Sequence, residues 1–248
     1  MAGVVIVTGG SRGIGAQVCR LAAAQGYAVC VNYTSKRDAA LEVVKQIEDA
    51  GGQAIAHGCD VSDETGVKSM FRLVENELGK VTALVNNAGI VQPISRVDEM
   101  DAERLSRILA VNVTGSFLCA REAIKRMSTK HGGEGGIIVN MSSAAARLGS
   151  PNEFVDYAAT KGAIDTFTLG LSREVGPEGI RVNAVRPGLI ETEIHASAGD
   201  ADRVERFKDN VPMKRAGSAA EVAEAVAWLL SDGASYVNGA LIDVAGGR

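Results

Sequence analysis

Hydrophobic positions fall into short, mostly continuous apolar runs that alternate with longer stretches of helical spacing along the whole chain. Continuous runs are typical of strands that helices cover on both faces. The alternation predicts βαβ units and therefore an α/β fold, a doubly wound parallel sheet in a single domain spanning residues 1–248. The predicted strands are residues 3–8, 28–32, 53–57, 83–86, 136–141, 181–185 and 240–244, seven in all.

Helical patterns occupy residues 13–25, 37–50, 63–78, 101–130, 155–175 and 219–230. Ser62 and Ser218 are the expected N-caps, each followed within three residues by an acidic side chain that suits the helix dipole. Gly51-Gly52 and Gly176-Pro177 are the expected stops.

One segment does not show this alternation of apolar runs and helical spacing. Residues 187–212 are mostly polar with little apolar periodicity, and such long connections are usually functional or disordered. We predict a mobile substrate lid over about residues 188–212. Together with residues 144–155 it is expected to shape the pocket, with candidate side chains at Arg147, Phe154, His195, Phe207 and Met213.

The composition of the chain reduces the number of function classes to be considered. The chain has 248 residues, 46% hydrophobic and 23% charged, and its formal net charge of −4 gives no basic surface for nucleic acid. The N-terminus shows no signal-peptide pattern, and no stretch has the length and apolarity of a membrane span, so a cytoplasmic protein is expected. The four cysteines and three histidines are scattered, which predicts neither a metal site nor a disulfide.

A glycine-rich turn lies between the first predicted strand and helix. Gly9, Gly13 and Gly15 give a G-x-x-x-G-x-G spacing. Such a turn lets backbone approach a pyrophosphate at a helix N-terminus, although it also serves as a tight turn alone. Its position in a βαβ unit favours a dinucleotide.

The end of the second strand bears on which dinucleotide binds. An NAD-selective site usually carries an acidic residue there, and residues 31–37 have none. Arg12 and either Lys36 or Arg37 are candidates for a 2′-phosphate, so NADP(H) is predicted. The alternative is that these cations are only solvated, in which case NAD(H) is possible.

Tyr157 and Lys161 stand four residues apart on a predicted helix, so their side chains share a face. An ammonium beside a phenol favours phenolate, and we expect it to lower the tyrosine pKa towards working pH. The spacing alone is common. Gly89, Ser143 and Tyr157, however, all map to the carboxyl edge of the sheet, where open α/β proteins bind ligands.

Six motifs now occur in order: Thr8-Gly9 through Gly13-x-Gly15, Asn86-Asn87-Ala88-Gly89, Asn112, Ser142-Ser143, Tyr157-x-x-x-Lys161 and Arg186-Pro187-Gly188. Over nearly its whole length the chain resembles the short-chain dehydrogenase/reductase family, in its 3-oxoacyl-ACP reductase-like or glucose dehydrogenase-like branch. The resemblance implies a Rossmann-type fold. It also implies a homotetramer, because residues 235–247 resemble a tail that packs across a two-fold axis in relatives.

The resemblance assigns roles to a catalytic set. Ser143 would bond the substrate oxygen, Tyr157 would exchange its proton, Lys161 would hold the nicotinamide ribose and Asn112 would position a water linking Lys161 to solvent. Ser142 stays a minor alternative to Ser143, and Asn112 has the alternative of bonding backbone at a helix irregularity. The predicted cofactor-binding residues are Gly9, Ser11, Arg12, Gly13, Ile14, Gly15, Asn32, Tyr33, Thr34, Ser35, Asp60, Val61, Asn87, Ala88, Gly89, Tyr157, Lys161, Pro187, Gly188, Ile190 and Thr192.

The implied activity is hydride transfer between NADP(H) and a ketone or secondary alcohol, for example a 3-oxoacyl thioester, a sugar or a steroid-like compound. Two other interpretations remain. One is a cofactor-binding sensor or scaffold without turnover, and the other is a non-redox enzyme such as a dehydratase or epimerase on the same fold.

Overall fold

All seven apolar runs predicted as strands belong to one parallel sheet. A computed structural model describes residues 3–193, 199–200 and 202–248 of the chain. The strands of this sheet are β1 Val4–Val7, β2 Ala28–Tyr33, β3 Ala54–Gly58, β4 Val81–Asn86, β5 Gly136–Met141, β6 Ile180–Pro187 and β9 Leu241–Val244. Within the described residues the sheet has the order β3-β2-β1-β4-β5-β6-β9, which confirms the doubly wound fold.

The helices are α1 Gly13–Ala24, α2 Arg37–Asp49, α3 Glu64–Glu77, α4 Ala102–Leu109, α5 Gly115–Met127, α6 Ala145–Leu148, α7 Val155–Val175, α8 Arg203–Phe207 and α9 Ala219–Leu230. Each of the six predicted helical segments contains helix, and two short helices, α6 and α8, lie outside them. Side chains of α1, α2 and α9 pack on one face of the sheet, and those of α3, α5 and α7 on the other.

The strand β1 shows why its run is continuously apolar. Val5 and Val7 join the core beneath α1 and α9, whereas Val4 and Ile6 join the core beneath α3 and α5. Successive side chains of a strand point to opposite faces, so a central strand has no polar side. All four residues are buried accordingly.

One of the two predicted N-caps differs in the structure and the other is confirmed. The N-cap of α3 is Asp63, whose carboxylate accepts from the backbone N–H of Thr65. Ser62 instead donates its hydroxyl to Asp60 at 2.7 Å. The cap at Ser218 is confirmed, in a reciprocal capping box with Glu221.

The segment predicted as one helix over residues 101–130 is helical from Ala102 to Met127, but it is interrupted near its middle. A π-helical turn, Ala110–Thr114, separates α4 from α5, and α5 ends at Met127. A π-helical turn adds one residue within a helix, and the spacing of the apolar residues along the sequence does not reveal it.

The segment predicted to be an irregular lid contains regular structure. Ile190–Glu191 (β7) pairs in parallel with Gly217–Ser218 (β8), and α8 follows further along the chain. Leu189, Val211 and Ala216 form a small core of their own, with Phe207 against it. Part of the predicted lid, residues 194–198 and 201, lies outside the described residues. Its role as a lid stays a prediction.

Three further expectations concern membrane spans, disulfides and metal sites. None of the helices in the described residues is long and apolar enough to cross a bilayer. All four cysteines are buried free thiols. In the same described part, no three or more His, Cys, Asp or Glu side chains are grouped as a metal site would require.

Candidate active site

A cavity of about 960 Å³ lies at the carboxyl edge of the sheet. The loops that follow the six strands β1 to β6 line it, which is the expected ligand site of such a sheet. Every predicted cofactor residue lines this cavity except Asn32. Of the predicted catalytic residues, Ser143, Tyr157 and Lys161 line it, and Asn112 lies behind its wall.

The glycine turn forms one end of the cavity. Gly9 and Gly13 have φ of 63° and 54°, a left-handed conformation that disfavours side chains. A Cβ at Gly15 would collide with the Gly9 carbonyl oxygen and lie 2.5 Å from Nδ2 of Asn87. The turn is therefore a cradle of bare backbone at the N-terminus of α1, where N–H groups lack helical acceptors. This cradle fits a pyrophosphate.

The turn is tied to the end of β4. The Thr8 hydroxyl accepts from the backbone N–H groups of Asn87 and Ala88, both at 2.9 Å. The Asn87 side chain donates back to the carbonyls of Thr8 and Gly9. These bonds hold two of the motifs noted in the sequence in one rigid unit.

Asn32 supports the turn rather than lining the cavity. Its buried side chain accepts from the Gly9 N–H at 3.2 Å and donates to the Cys59 carbonyl at 3.0 Å. These polar atoms are turned towards neighbouring backbone, and a direct contact of Asn32 with the cofactor stays a prediction.

Of the residues at and after the end of β2, some line the cavity and others do not. Tyr33, Thr34, Ser35 and Lys36 line it, whereas Arg37, the first residue of α2, does not. Of the two cations considered there for a 2′-phosphate, Lys36 is therefore the one in place. Arg12 also lines the cavity, with Nη1 2.9 Å from a Glu193 carboxylate oxygen.

Asp60 lies on the cavity wall beyond these residues. Burial raises the pKa of its carboxyl, but hydrogen bonds from Ser62 and Arg107 outweigh burial and hold that pKa below its ordinary value. Arg107 reaches the carboxylate from α4 at 2.8 Å. Nothing in the sequence around Arg107 marks it as part of the site, because the contact joins two elements that are distant in the chain.

The two neighbouring serines after β5 are distinguished by their partners. The Ser142 hydroxyl donates to the backbone carbonyl of Lys161 at 3.1 Å and is buried. The Ser143 hydroxyl accepts from Ala145 N–H and hydrogen-bonds Tyr157, on the cavity side. Ser142 thus anchors α7, which leaves Ser143 to face a ligand.

Lys161 lies beneath Tyr157. Its Nζ donates to the Met141 carbonyl at 2.7 Å and is 5.5 Å from the centroid of the Tyr157 ring. Burial lowers the pKa of Lys161 to about 8, partly opposed by Asp165. A lysine with such a pKa changes charge close to neutral pH.

The expected lowering of the tyrosine pKa is not what this structure has. Burial raises the pKa of Tyr157 to about 12, and the hydrogen bond with Ser143 only partly offsets it. Since Lys161 is turned to the Met141 carbonyl and is itself desolvated, its charge does not counter the burial.

Asn112 occupies the π-helical turn. Its Oδ1 accepts from Ile90 N–H at 2.8 Å, and its Nδ2 donates to the Ile90 carbonyl and the Thr160 hydroxyl. The backbone-bonding alternative is therefore realised. A Cβ at Gly89 would nevertheless lie 3.5 Å from Asn112 Oδ1 and 3.6 Å from Lys161 Nζ, so both groups border the same point.

The far end of the cavity is built from residues that the motifs did not include. Phe154 and Phe207, both candidates from the sequence, line it, together with Glu153 and Arg203, which the sequence did not single out. Arg147 and Met213 line a smaller adjoining cavity of about 490 Å³ instead. His195 lies outside the described residues.

Comparisons with known proteins agree with this geometry. Residues 9–248 match a family model described as enoyl-(acyl carrier protein) reductase. The uncharacterized oxidoreductase YgfF of Escherichia coli K12 is 57% identical over 245 residues, covering 99% of each chain. The 3beta-hydroxysteroid dehydrogenase 1 of Eggerthella lenta is 39% identical, covering 98% of this chain and 92% of that protein. A short-chain dehydrogenase from Burkholderia cenocepacia J2315, solved in complex with NADP, superposes with a TM-score of 0.92 at 32% identity, covering 100% and 98%.

Proposed function

Because the chain belongs to the short-chain dehydrogenase/reductase family, we propose that it moves a hydride between NADP(H) and a ketone or secondary alcohol. It is an oxidoreductase that acts on CH–OH and C=O groups. The observation that carries the proposal is the meeting of Ser143, Tyr157 and Lys161 in the cavity that also contains the glycine turn.

The cofactor would be held along the carboxyl edge. Gly9, Gly13 and Gly15 would face its pyrophosphate, Asp60 and Val61 its adenine, and Ile190 and Thr192 its nicotinamide. When bound, the reduced nicotinamide supplies a hydride to the carbonyl carbon.

The protein's own part is to supply the proton. Ser143 and Tyr157 present hydroxyl groups side by side, and two such donors stabilise charge developing on a carbonyl oxygen. Tyr157 is the proton donor, because at neutral pH its raised pKa keeps it protonated. Lys161 Nζ and Asn112 Oδ1 border the same point beside Gly89, where a water would relay the proton between Lys161 and solvent.

The preference for NADP(H) rests on charge. None of residues 34–37 after β2 is acidic, and Thr34, Ser35 and Lys36 line the cavity where a 2′-phosphate would sit. Hydroxyl groups and an ammonium are suitable donors for a phosphate dianion. Binding of NADP by the Burkholderia relative supports the same preference.

Replacement of one oxygen atom tests the mechanism. Tyr157→Phe removes the proton donor, and we expect NADPH oxidation with a panel of ketones to fall by at least about a thousandfold, while binding, measured by NADPH fluorescence, stays intact. Ser143→Thr, which keeps the hydroxyl, serves as a milder comparison. Turnover that survives in Tyr157→Phe would refute the assignment.

We also propose a cytoplasmic homotetramer. Leu105, Leu109 and Phe117 on α4 and α5 are exposed, and Phe117 stacks on Phe167 of α7 at 3.8 Å between ring centroids. Exposed apolar side chains grouped in this way are typical of an interface. Light scattering coupled to gel filtration gives the mass directly.

A further inference from the structure

The substrate end of the cavity contains an arginine stacked on aromatic rings. The guanidinium carbon of Arg203 lies 4.9 Å from the ring centroid of Phe154 and 4.9 Å from that of Phe207. All three side chains line the cavity. Phe154 comes from the loop before α7 and Arg203 and Phe207 from α8, so the stack joins the two segments that enclose this end.

The charge of Arg203 is already compensated. Its Nη2 donates to Glu153 at 2.6 Å and its Nη1 to Asp200 at 3.4 Å, and its side chain is only 13% exposed. Asp200 is buried and also binds Arg206. An anionic substrate would therefore have to compete with two carboxylates for this guanidinium.

The loop that carries Glu153 and Phe154 is held in a specific conformation. Ser150 and Asn152 have φ of 46° and 61°, an uncommon region for residues other than glycine. Phe154 N–H and Glu153 N–H both donate to the Ser150 carbonyl, and Arg96 donates to Asn152. Strain of this kind persists where the surroundings hold it, and it is often found at binding sites.

We propose that Arg203 determines substrate specificity by holding Phe154 and Phe207 as an aromatic wall, and that this wall selects a carbonyl or alcohol on an uncharged, apolar ring skeleton. The inference rests on the proposed function and names its substrate class. Aromatic faces bind apolar rings well, whereas a sugar brings hydroxyl groups that need partners of their own. Leu148, Pro151 and Leu189 extend the apolar lining.

Three ketones of different chemistry test the substrate class: 2-decalone, fructose and 3-oxohexanoate. With the full-length protein and NADPH, we expect the highest kcat/KM for 2-decalone. Arg203→Lys keeps the charge but loses the planar group, and it should raise KM for 2-decalone by roughly tenfold with little change in kcat or in fructose turnover. Arg206→Lys is the matched control, because Arg206 contacts the same Asp200 and Phe207 without lining the cavity.

A binding measurement separates this inference from the proposed activity. Calorimetry of 2-decalol against the protein with NADPH, a pair that cannot react, should show binding that Arg203→Lys and Phe207→Leu both weaken, while NADPH affinity and melting temperature stay near wild type. A wild-type preference for fructose would overturn the inference and leave the activity standing. A preference for 3-oxohexanoate would do the same and implicate Arg248, which also lines the cavity. Binding of 2-decalol without turnover of any ketone would instead refute the activity alone.

Discussion

The two ends of the cavity are built in different ways. At the cofactor end, the glycine turn and the residues after β4 line the cavity, and Gly9, Gly13 and Gly15 bring backbone without side chains to its surface. At the substrate end, side chains distant in sequence, such as Glu153 and Arg203, form it. The first construction depends on local chain conformation and the second on tertiary packing, so substitutions should act differently at the two ends.

One added methyl group at the cofactor end should have a large effect. In Gly15→Ala the new Cβ would collide with the Gly9 carbonyl oxygen, and because this oxygen belongs to the backbone, the turn itself would have to shift. We expect the free energy of unfolding to fall by about 2–3 kcal/mol and NADPH affinity to fall by at least about tenfold. Urea unfolding and NADPH fluorescence titration measure the two effects.

Gly170→Ala supplies the matched control for that substitution. Gly170 also lies in a helix, α7, and a Cβ there would meet no atom within 4 Å. Alanine has the higher helix propensity, so this variant should be more stable by about 0.5–1 kcal/mol. Equal behaviour of the two variants would contradict the description of the cofactor end as a backbone cradle.

The same contrast explains what the sequence could predict. The strands, the glycine turn and the Tyr157–Lys161 pair depend on local pattern, and the structure has them where the pattern placed them. Arg203 and Arg107 act through contacts between elements that are distant in the chain, and nothing in their sequence neighbourhood marks them.

Chemical environment is harder to predict than position. Adjacency on a helix indicated that Lys161 would lower the pKa of Tyr157, but the effect depends on burial and on where the ammonium points. Asn32 is a similar case, because its place at the end of β2 was predicted correctly while its side chain turns inward to backbone. Neither orientation nor desolvation can be read from spacing.

The titration of Lys161 tests how strongly the catalytic residues between the two ends of the cavity are desolvated. Its folded pKa of about 8 lies below the ordinary lysine pKa of 10.5, so between these values the unfolded chain binds more protons than the folded one. Stability therefore rises with pH across this window. Relative to Lys161→Met, the wild type should gain about 2 kcal/mol between pH 7 and pH 9.5.

Urea unfolding of both proteins at the two pH values measures this gain. Tyr157 is present in both, and its raised pKa lowers stability only above pH 10, outside the window. A wild type that gains nothing over Lys161→Met would mean that the lysine is not desolvated in the folded chain.

The smallest effect is expected at the adenosine end, where a side chain rather than backbone would make the contact. Lys36 lines the cavity and its neighbour Arg37 does not, although both are exposed cations at the start of α2. Lys36→Ala should weaken NADPH binding by roughly fivefold and leave NADH binding unchanged, because only NADPH carries the 2′-phosphate. Arg37→Ala should change the affinity for neither cofactor.

An exposed ion pair is screened by salt, so the effect of Lys36→Ala on NADPH binding should shrink as the ionic strength rises from about 0.05 to about 0.5 M. Equal losses for both cofactors would show that Lys36 contacts a part they share, and the preference for NADP(H) would then have to come from Arg12, Thr34 or Ser35.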